Sequence, residues 1–487
     1  MNTHLLALQL MAAQGCLGAF DTIYHHEITE ALPQKASARL ELTIHATRAL
    51  IYSLLFVGLA AWEWHGAWAW VLVIVFGVEI VLTLWDFVVE DRTRLLPATE
   101  RVTHTVLAIN AGAFIALLAL NSSEWASLPT ALVWQPYGWL SVFLALCGVG
   151  VGLSGLRDAY AVWQLGRRKV QETAEQEERL RFAAAPQSVL VTGATGFIGQ
   201  QLVSALLADG HAVTVLTRQP KQAAWTFDGT VRCIRSLDEL SDAQRIDMVV
   251  NLAGARIVGR RWTAARKAAL RRSRVALTQD LVAWIARAQH KPRVLLSASA
   301  IGYYGVQPQG DATELAEDDA PQAIFMSQLC QEWEAAARQA EKFGVQVGCM
   351  RFGLVFGHQG SLPQMLLPIR FGAGGPLGSG KQWVSWVHVR DVIRGIAHLA
   401  RRSEEGAVSG AYNFCAPEAI EQRRFAQVAG TVLHRPSIMP TPAFVMRALL
   451  GEQADLLVEG QRVAPRRLLA DGFVFRHPQL EGALRSL

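Results

Sequence analysis

A glycine-rich segment in the second half of the chain has the residue types and the spacing that bind phosphate groups. It reads Gly193-Ala-Thr-Gly196-Phe-Ile-Gly199, between a short apolar run, 188–192, and a helical run, 200–208. In such a strand–turn–helix unit the first glycine allows the turn, the second lets the backbone approach a pyrophosphate, and the third lets helix and strand pack closely. Free N–H groups at the helix N-terminus face the phosphates. The pattern predicts dinucleotide contacts at Thr192, Gly193, Thr195, Gly196, Phe197, Ile198 and Gly199.

The residues that follow the second predicted strand indicate which dinucleotide is bound. This strand, 212–216, is followed by Thr217 and Arg218, where an NAD site would place Asp or Glu against the ribose hydroxyls. A guanidinium matches a 2′-phosphate, whereas it offers nothing special to a bare hydroxyl. The sequence therefore predicts NADP(H), bound in part by Thr217 and Arg218.

Pairs of potential metal ligands recur in the first half of the chain at a spacing of four residues. Side chains four residues apart lie on one face of a helix. Carboxylates and imidazoles that converge from several helices hold iron or manganese in bundle proteins, although the usual spacing there is Glu-x-x-His. The pattern predicts a metal site formed by Asp21 with His25, Glu41 with His45, Asp86 with Glu90, and Glu100 with His104.

An alternative reading of these pairs needs no metal. Inner helix ends are wet, so the same charges could be solvated or paired with Arg48 and Arg92. However, Asp86 and Glu90 close a predicted helix, and the helix dipole disfavours anions at a C-terminus. A bound cation would remove that objection.

The elements that carry these pairs are predicted to cross a membrane. The chain of 487 residues is 51% hydrophobic and only 18% charged, which is too apolar for an ordinary soluble enzyme. Tryptophans at the ends of its apolar stretches favour a membrane over a buried soluble bundle, because indoles prefer membrane interfaces. Several stretches reach the roughly 20 residues that span a bilayer, and the second is short. The five stretches are 5–24, 49–62, 67–87, 102–120 and 137–156.

Charge in the loops predicts the orientation of this bundle. Lys and Arg gather between the first two stretches, between the third and fourth, and after the fifth, whereas 63–66 and 121–136 contain neither. Positively charged loops stay inside, so we expect an integral inner (cytoplasmic) membrane protein with its N-terminus outside. The sequence shows no nucleic-acid-binding motif, and membrane lipid is the expected partner. The predicted domains are a bundle, 1–156, a charged helical connector, 157–186, and a cytoplasmic domain, 187–487.

Further motifs in the second half resemble a known superfamily. They are Asn251-Leu-Ala-Gly254, Ser297-Ala-Ser299, Tyr303-Tyr304-Gly305 and a segment from Gly378 to Asp391. Residues 187–487 are similar to the extended short-chain dehydrogenases/reductases, and more narrowly to uncharacterised NAD(P)-dependent epimerase/dehydratase-like oxidoreductases of a cell-division-inhibitor-like group. The resemblance implies an α/β Rossmann fold with NADP(H) at the strand ends, the turn Leu252, Ala253 and Gly254 under the riboses, and a small substrate subdomain. We expect this lid mainly at 360–385 and 410–487.

The same resemblance implies a catalytic Ser with a Tyr-x-x-x-Lys helix, and here the sequence departs from the pattern. Ser299 fits the Ser position, but the helix expected at 323–337 places Phe325 and Leu329 where Tyr and Lys should be. Tyr303 or Tyr304 could supply the acid/base group, or the two rings could simply pack beside the nicotinamide. Other residues that could face the cleft are Glu332, Glu334 and Lys381, and hydride transfer could also need only weak acid help. Ser299 could orient a substrate or merely cap the strand end.

Two functions of different classes follow from the sequence. The first is a membrane-tethered NADP(H)-dependent oxidoreductase or epimerase that acts on a small or lipid-derived substrate. The second is a membrane module that senses NADP(H) without catalysis. The complete cleft-forming subdomain favours the enzyme.

Overall fold

The computed structural model describes residues 3–22, 39–93, 98–175, 180–257, 259, 261–372 and 374–487. The chain divides into two compact units, Met1–Glu178 and Arg179–Leu487. The predicted connector, 157–186, begins as a continuation of the fifth helix of the first unit, which runs to Glu175.

Within its described residues, the first unit is a bundle of five long helices with two short strands. All five helices are long and apolar enough to cross a membrane. In chain order its elements are α1 (Thr3–Asp21), α2 (Arg39–Ala60), β1 (Trp62–His65), α3 (Ala67–Thr93), α4 (Ala98–Trp125), β2 (Ala131–Trp134) and α5 (Trp139–Glu175). This confirms the predicted N-terminal helical region.

The second helix is longer than the apolar stretch 49–62 and includes the predicted pair Glu41 and His45. α2 has 22 residues, because it begins ten residues before the apolar run, at Arg39. The added turns carry Glu41, which is fully buried, and His45. These polar side chains lower the hydropathy of a segment that nevertheless packs inside the bundle, so the apolar run showed only the second part of the helix.

Strands β1 and β2 lie in the two loops that lack Lys and Arg, and they pair with each other. They pair antiparallel, with Trp62 opposite Trp134 and His65 opposite Ala131. The two indoles, Trp62 and Trp134, meet edge to face at 4.8 Å. Because β1 links α2 to α3 and β2 links α4 to α5, this pairing places both loops at the same end of the bundle.

Helices α2 and α5 pack closely at glycines of α5. A Cβ atom on Gly148 would lie 2.7 Å from Val57 Cγ2, and one on Gly152 would lie 2.6 Å from Ser53 Oγ. Both distances are shorter than van der Waals contact. The two helices therefore approach to a separation that a larger side chain at either position would prevent.

The second unit is built on a seven-stranded parallel sheet. In chain order its strands are β3 (Ser188–Thr192), β4 (Ala212–Leu216), β5 (Arg232–Ile234), β6 (Met248–Asn251), β7 (Val294–Ala300), β8 (Gln346–Phe352) and, after three short strands, β12 (Gly410–Phe414). Their order across the sheet is β12-β8-β7-β6-β3-β4-β5. The order reverses between β3 and β6, the crevice where doubly wound sheets bind their ligands. The predicted Rossmann fold is thereby confirmed.

Helices cover both faces of this sheet and bury its apolar side chains. One core contains Val191, Leu202 and Val250, and the core on the other face contains Leu190, Trp284 and Leu295. The helices of the second unit, in chain order, are α6 (Phe197–Ala208), α7 (Pro220–Thr226), α8 (Ala264–Arg271), α9 (Leu277–Arg287), α10 (Phe325–Arg338), α11 (Leu362–Arg370), α12 (Val389–Arg402), α13 (Gln422–Leu433), α14 (Ala443–Leu450), α15 (Asp455–Val458), α16 (Arg466–Ala470) and α17 (Leu480–Arg485).

A smaller subdomain has its own apolar core. It contains Phe356, Leu362, Trp386 and Phe425. Its short strands are β9 (Leu354–Phe356), β10 (Trp383–Val384), β11 (Trp386–His388) and β13 (Ile420–Glu421), paired as β9–β11 and β10–β13. The predicted lid segment 410–487 starts too early, because Gly410–Phe414 forms the edge strand β12 of the main sheet.

Candidate functional site

The turn between β3 and α6 has the shape that a phosphate group requires. Gly193 has a φ of +68°, a conformation that L side chains rarely adopt. A Cβ atom on Gly199 would lie 2.2 Å from the carbonyl oxygen of Gly193, so α6 packs directly onto the turn. Gly196 is the N-cap residue of α6 and has no side chain that could bond the first N–H groups of the helix. These groups are therefore available to a ligand.

The turn after β6 lies against this glycine turn. A Cβ atom on Gly193 would come within 2.7 Å of the backbone of Leu252 and 2.8 Å of the nitrogen of Ala253. Thr192 Oγ1 donates a hydrogen bond to Asn251 Oδ1 at 2.7 Å and accepts one from the N–H of Ala253 at 3.1 Å. The predicted cofactor residues from β3 and β6 therefore meet at the point where the strand order reverses. Asn251 holds the two turns together, a positioning role that the motif alone did not reveal.

Arg218 follows the carboxyl end of β4, the strand next to β3. The side chain is exposed and forms no hydrogen bond or ion pair with the described residues. Thr217 is fixed more firmly, since its N–H donates to the carbonyl of Ile234 at 2.9 Å. A guanidinium at this position is free to meet a phosphate.

The predicted catalytic residues Ser299 and Tyr304 lie inside a buried polar network. Their exposed fractions are 3% and 2%. Ser299 Oγ donates to Glu334 Oε1 at 2.7 Å, and Tyr304 Oη donates to Asn413 Oδ1 at 2.8 Å. Burial raises the pKa of Tyr304, against the opposing charge of Arg351. Both hydroxyls thus have protein partners, and a raised pKa makes a tyrosine a poorer proton donor at neutral pH.

Tyr303 lies differently from its neighbour. It is only half-buried, and its hydroxyl forms no hydrogen bond to any residue that the structure describes. The guanidinium of Arg351 lies 3.5 Å from the centre of its ring, which fixes the ring by a cation–π contact. Of the three predicted catalytic residues, Tyr303 alone is both partly exposed and free to bond a ligand.

The centre of the network is an ion pair, of which the sequence indicated Glu334 as a residue near the cleft but not its partner Arg351. Arg351 of β8 and Glu334 of α10 are both buried, and two hydrogen bonds join them, at 2.8 Å and 2.9 Å. Arg351 also donates to Tyr304 Oη at 2.9 Å. Helix α10 confirms the expected helix but presents Phe325 and Leu329 at the expected Tyr and Lys positions. The only signal in the sequence was a Glu on the apolar side of α10.

A second buried arginine lies beneath the predicted ribose turn. Arg274 lies in the π-helical turn Arg272–Ala276 that joins α8 to α9. A Cβ atom on Gly254 would lie 3.0 Å from its guanidinium carbon. Burial lowers the pKa of Arg274 to about 10, and its hydrogen-bond acceptors include the carbonyl of Ala255 at 2.9 Å. Within the described residues no carboxylate pairs with it, and no motif in the sequence pointed to it.

In the bundle, the structure brings most of the predicted metal ligands together. Two groups of three have ligand atoms within 4.8 Å of one another: Glu41 with His45 and Glu90, and Glu90 with Glu100 and His104. Asp21 and Asp86 lie beside the imidazoles, 3.1 Å from His104 and 3.0 Å from His45. His25, the eighth predicted ligand, lies outside the described residues.

The second unit matches known protein families along most of its length. Residues 189–415 match the NAD dependent epimerase/dehydratase family, and residues 441–487 match a family described as a domain of unknown function. The epimerase family protein YfhF of Bacillus subtilis is 34% identical over 304 residues, which cover 62% of this chain and 97% of the relative. The chain thus belongs to the NAD-dependent epimerase/dehydratase family, the extended branch of the short-chain dehydrogenases/reductases.

Two further relatives narrow the resemblance within that family. The chloroplastic SDR39U1 homolog of Arabidopsis thaliana is 39% identical over 310 residues, 62% of this chain and 86% of the relative. A crystal structure of human epimerase family protein SDR39U1, with NADPH, matches with a TM-score of 0.55 and 35% identity, and covers 61% of this chain and 98% of that one. The chain is therefore an NAD(P)-dependent epimerase-family protein of the SDR39U1 type. These relatives match the second unit and support an NAD(P)(H) site there.

Proposed function

We propose that this chain is a membrane-tethered NADP(H)-dependent oxidoreductase or epimerase that acts on a small or lipid-derived substrate. The observation that carries the proposal is the pair of turns after β3 and β6, which meet at the reversal of strand order with a free helix N-terminus beside them. A human relative was solved with NADPH in the same fold. The predicted metal site of the bundle does not enter this proposal, since the nucleotide site stands without it.

The preference for NADP(H) depends on Arg218. A charge-assisted hydrogen bond to the 2′-phosphate contributes about 1.5–3 kcal/mol, or roughly a 10- to 100-fold difference in Kd. We expect Arg218→Ala to weaken NADPH binding by this factor and to leave NADH binding unchanged, as measured by fluorescence titration. Arg485→Ala is the control, because Arg485 is an exposed arginine paired with Glu481 on α17. Equal affinity of the unaltered protein for NADH and NADPH would contradict the preference.

For the chemical step, Tyr303 is the proposed proton donor or acceptor. Its hydroxyl is available to a ligand, whereas the hydroxyl of Ser299 is held by Glu334 and that of Tyr304 by Asn413. We expect Tyr303→Phe to abolish NADPH-dependent turnover with little change in the Kd of NADPH, because only the hydroxyl is removed. Full turnover by Tyr303→Phe would refute the assignment.

The membrane orientation is proposed with the N-terminus outside and the second unit in the cytoplasm. It is supported by the β1–β2 pairing, which gathers the two loops without Lys or Arg at one end of the bundle. Single cysteines introduced at Ser127 and at Gln187 of a cysteine-free chain would test it with a membrane-impermeant maleimide on intact cells. Labelling at Ser127 and protection at Gln187 are expected, and the reverse pattern would refute the orientation.

A second candidate function is NADP(H) sensing without catalysis. The observation that favours it is the absence of the usual proton relay from α10, where Phe325 and Leu329 occupy the Tyr and Lys positions. Binding of NADPH without consumption across aldehydes, ketones, enones and nucleotide sugars would favour the sensor. Oxidation of NADPH with any of these substrates, lost in Tyr303→Phe, would favour the enzyme.

A further inference from the structure

We propose that the helical bundle holds two divalent transition-metal ions, at a site that opens onto an apolar cavity. The ligands are three carboxylates and two imidazoles, with Glu90 of α3 shared between the two ions. Glu41 and His45 of α2 complete one ion's set, and Glu100 and His104 of α4 complete the other.

The arrangement of the ligands is the first support. Each of the two groups has three ligand atoms within 4.8 Å of one another, so shifts of a few tenths of an ångström bring them within the roughly 4.4 Å that ligands of one ion with bonds of about 2.0–2.2 Å can span. Both groups contain Glu90, so two ions bound there would be neighbours. In two-metal sites the ions lie about 3.5–4 Å apart. A Glu–His pair four residues apart supplies each ion from one helix, and the two pairs come from different helices.

The surroundings of His104 provide independent support. Its Nδ1 faces Glu90 Oε2 at 3.3 Å, while its Nε2 lies 3.1 Å from Asp21 Oδ2. A histidine that binds a metal through one ring nitrogen commonly donates the other N–H to a carboxylate, which fixes the ring orientation. Asp21 is the carboxylate that would accept this N–H from His104 Nε2. It is a positioning residue, which revises its predicted role as a ligand.

Charge gives a physical reason for bound cations. Glu41, Glu90 and Glu100 are each fully buried, and each brings a carboxylate oxygen close to another carboxylate of the set. Buried like charges at such distances repel strongly, because the surroundings screen them poorly. Arg48 pairs with Asp86 at 2.6 Å, outside this set, and two divalent ions would offset the repulsion within it. An oxygen-rich set with one imidazole per ion suits iron or manganese, as in carboxylate-bridged bundle proteins.

A cavity beside these residues indicates what the ions would serve. It has a volume of about 520 Å³, and His45, Asp86 and His104 lie on its wall together with apolar side chains such as Phe56, Leu107 and Val151. Structural metal sites are closed, whereas a catalytic site keeps a position open. A cavity of this size and character fits a lipophilic molecule rather than a sugar nucleotide. The proposed metal site lies in the bundle alone, and its test does not depend on the nucleotide site.

The test uses the full chain, purified in mild detergent without chelators, with metal content measured by mass spectrometry. We expect about two atoms of iron or manganese per chain, as for a two-metal site. His45→Gln and His104→Gln should each reduce the content to about one atom, and Glu90→Gln should remove nearly all of it. His65→Gln is the matched control, because His65 contacts Glu63 at 3.0 Å in β1 and lies outside both groups.

A second measurement separates lost ligands from lost folding. Each variant is stripped with a chelator, checked for helix content by circular dichroism, and titrated with Mn²⁺ while its thermal unfolding is followed. The unaltered chain and His65→Gln should gain stability with Mn²⁺, and the helical Glu90→Gln chain should not. The proposal fails if the unaltered chain holds no metal before and after Mn²⁺ addition, or if all variants retain as much as His65→Gln. One atom per chain in the unaltered protein would overturn the two-ion form.

Discussion

The ion pair between Glu334 and Arg351 allows a direct test of what stabilises the buried polar network around Ser299 and Tyr304. Glu334→Gln removes the charge that neutralises Arg351, which is 2% exposed, and it weakens the two hydrogen bonds of 2.8 Å and 2.9 Å that join them. Breaking a buried pair by removing one partner costs about 3–5 kcal/mol, because the other charge is left buried and uncompensated. For a unit of this size that corresponds to a decrease in Tm of about 5–8 °C.

A neighbouring residue provides the matched control. Glu332 lies on the same helix and pairs with Arg271 at 2.6 Å, but both side chains are more than 40% exposed. Exposed pairs contribute about 0–1 kcal/mol, so Glu332→Gln should change the free energy of unfolding by less than that. Urea unfolding of residues 179–487, followed by tryptophan fluorescence, would compare the two variants. This segment can be studied alone, since the Bacillus relative is matched over 97% of its own length by 304 residues of this chain.

The outcome that would refute the reasoning is a Glu334→Gln variant no less stable than Glu332→Gln. A double variant, Glu334→Gln with Arg351→Met, provides a further check. It should recover part of the lost stability, because no unpaired charge then remains buried. If the double variant is less stable than the unaltered protein by the full sum of the two single effects, the two residues act independently and the ion-pair account is wrong.

Two further predictions concern the nucleotide turn and a buried histidine. Gly199→Ala should weaken NADPH binding at least about tenfold, because its Cβ would lie 2.2 Å from the carbonyl oxygen of Gly193. Gly482→Ala, with open space around its Cβ, should bind NADPH normally in the same fluorescence titration. His388 caps α12, and burial, with the nearby charges of His477 and Arg390, lowers its pKa to about 2. The folded state therefore excludes a proton that the unfolded chain binds below pH 6.5, so stability should fall by about 1.4 kcal/mol per pH unit as the pH decreases from 6.5.

The histidine prediction is checked by urea unfolding between pH 7 and pH 5. His388→Asn can keep the helix cap and should be less sensitive to pH than the unaltered protein by about 2 kcal/mol at pH 5. His290 is exposed and serves as the control through His290→Asn. An identical pH dependence in the unaltered protein and His388→Asn would show that His388 accepts a proton in the folded state.

The sequence predicted the nucleotide turn well because local rules determine it. Glycines at 193, 196 and 199 indicate the backbone conformation of the turn directly. A buried apolar run followed by an amphipathic run predicts a strand followed by a helix. For the same reason the bounds of α10 were close to those expected. At α2 the apolar run marked only part of the helix, which begins ten residues earlier, because Glu41 is buried there among other polar side chains.

The cleft was less predictable because its chemistry depends on long-range packing. Arg351 and Glu334 lie on different elements, and only the fold shows that both are buried and joined. Arg274 depends on a π-helical turn, which shifts the register of side chains by one residue and leaves no clear mark in a single sequence. Ser299 was chosen for its place at a strand end, yet its hydroxyl points to Glu334.

The close packing of α2 on α5 also limits how a molecule could enter the bundle cavity. At Gly148 and Gly152 of α5, the side chains of Val57 and Ser53 of α2 pack directly against the helix backbone, so they have little room to move aside. Gly150 and Val151 of the same helix line the cavity, so the contact between α2 and α5 forms a fixed wall beside it. If the cavity takes up an apolar molecule, we therefore expect it to enter at a helix boundary other than the one between α2 and α5.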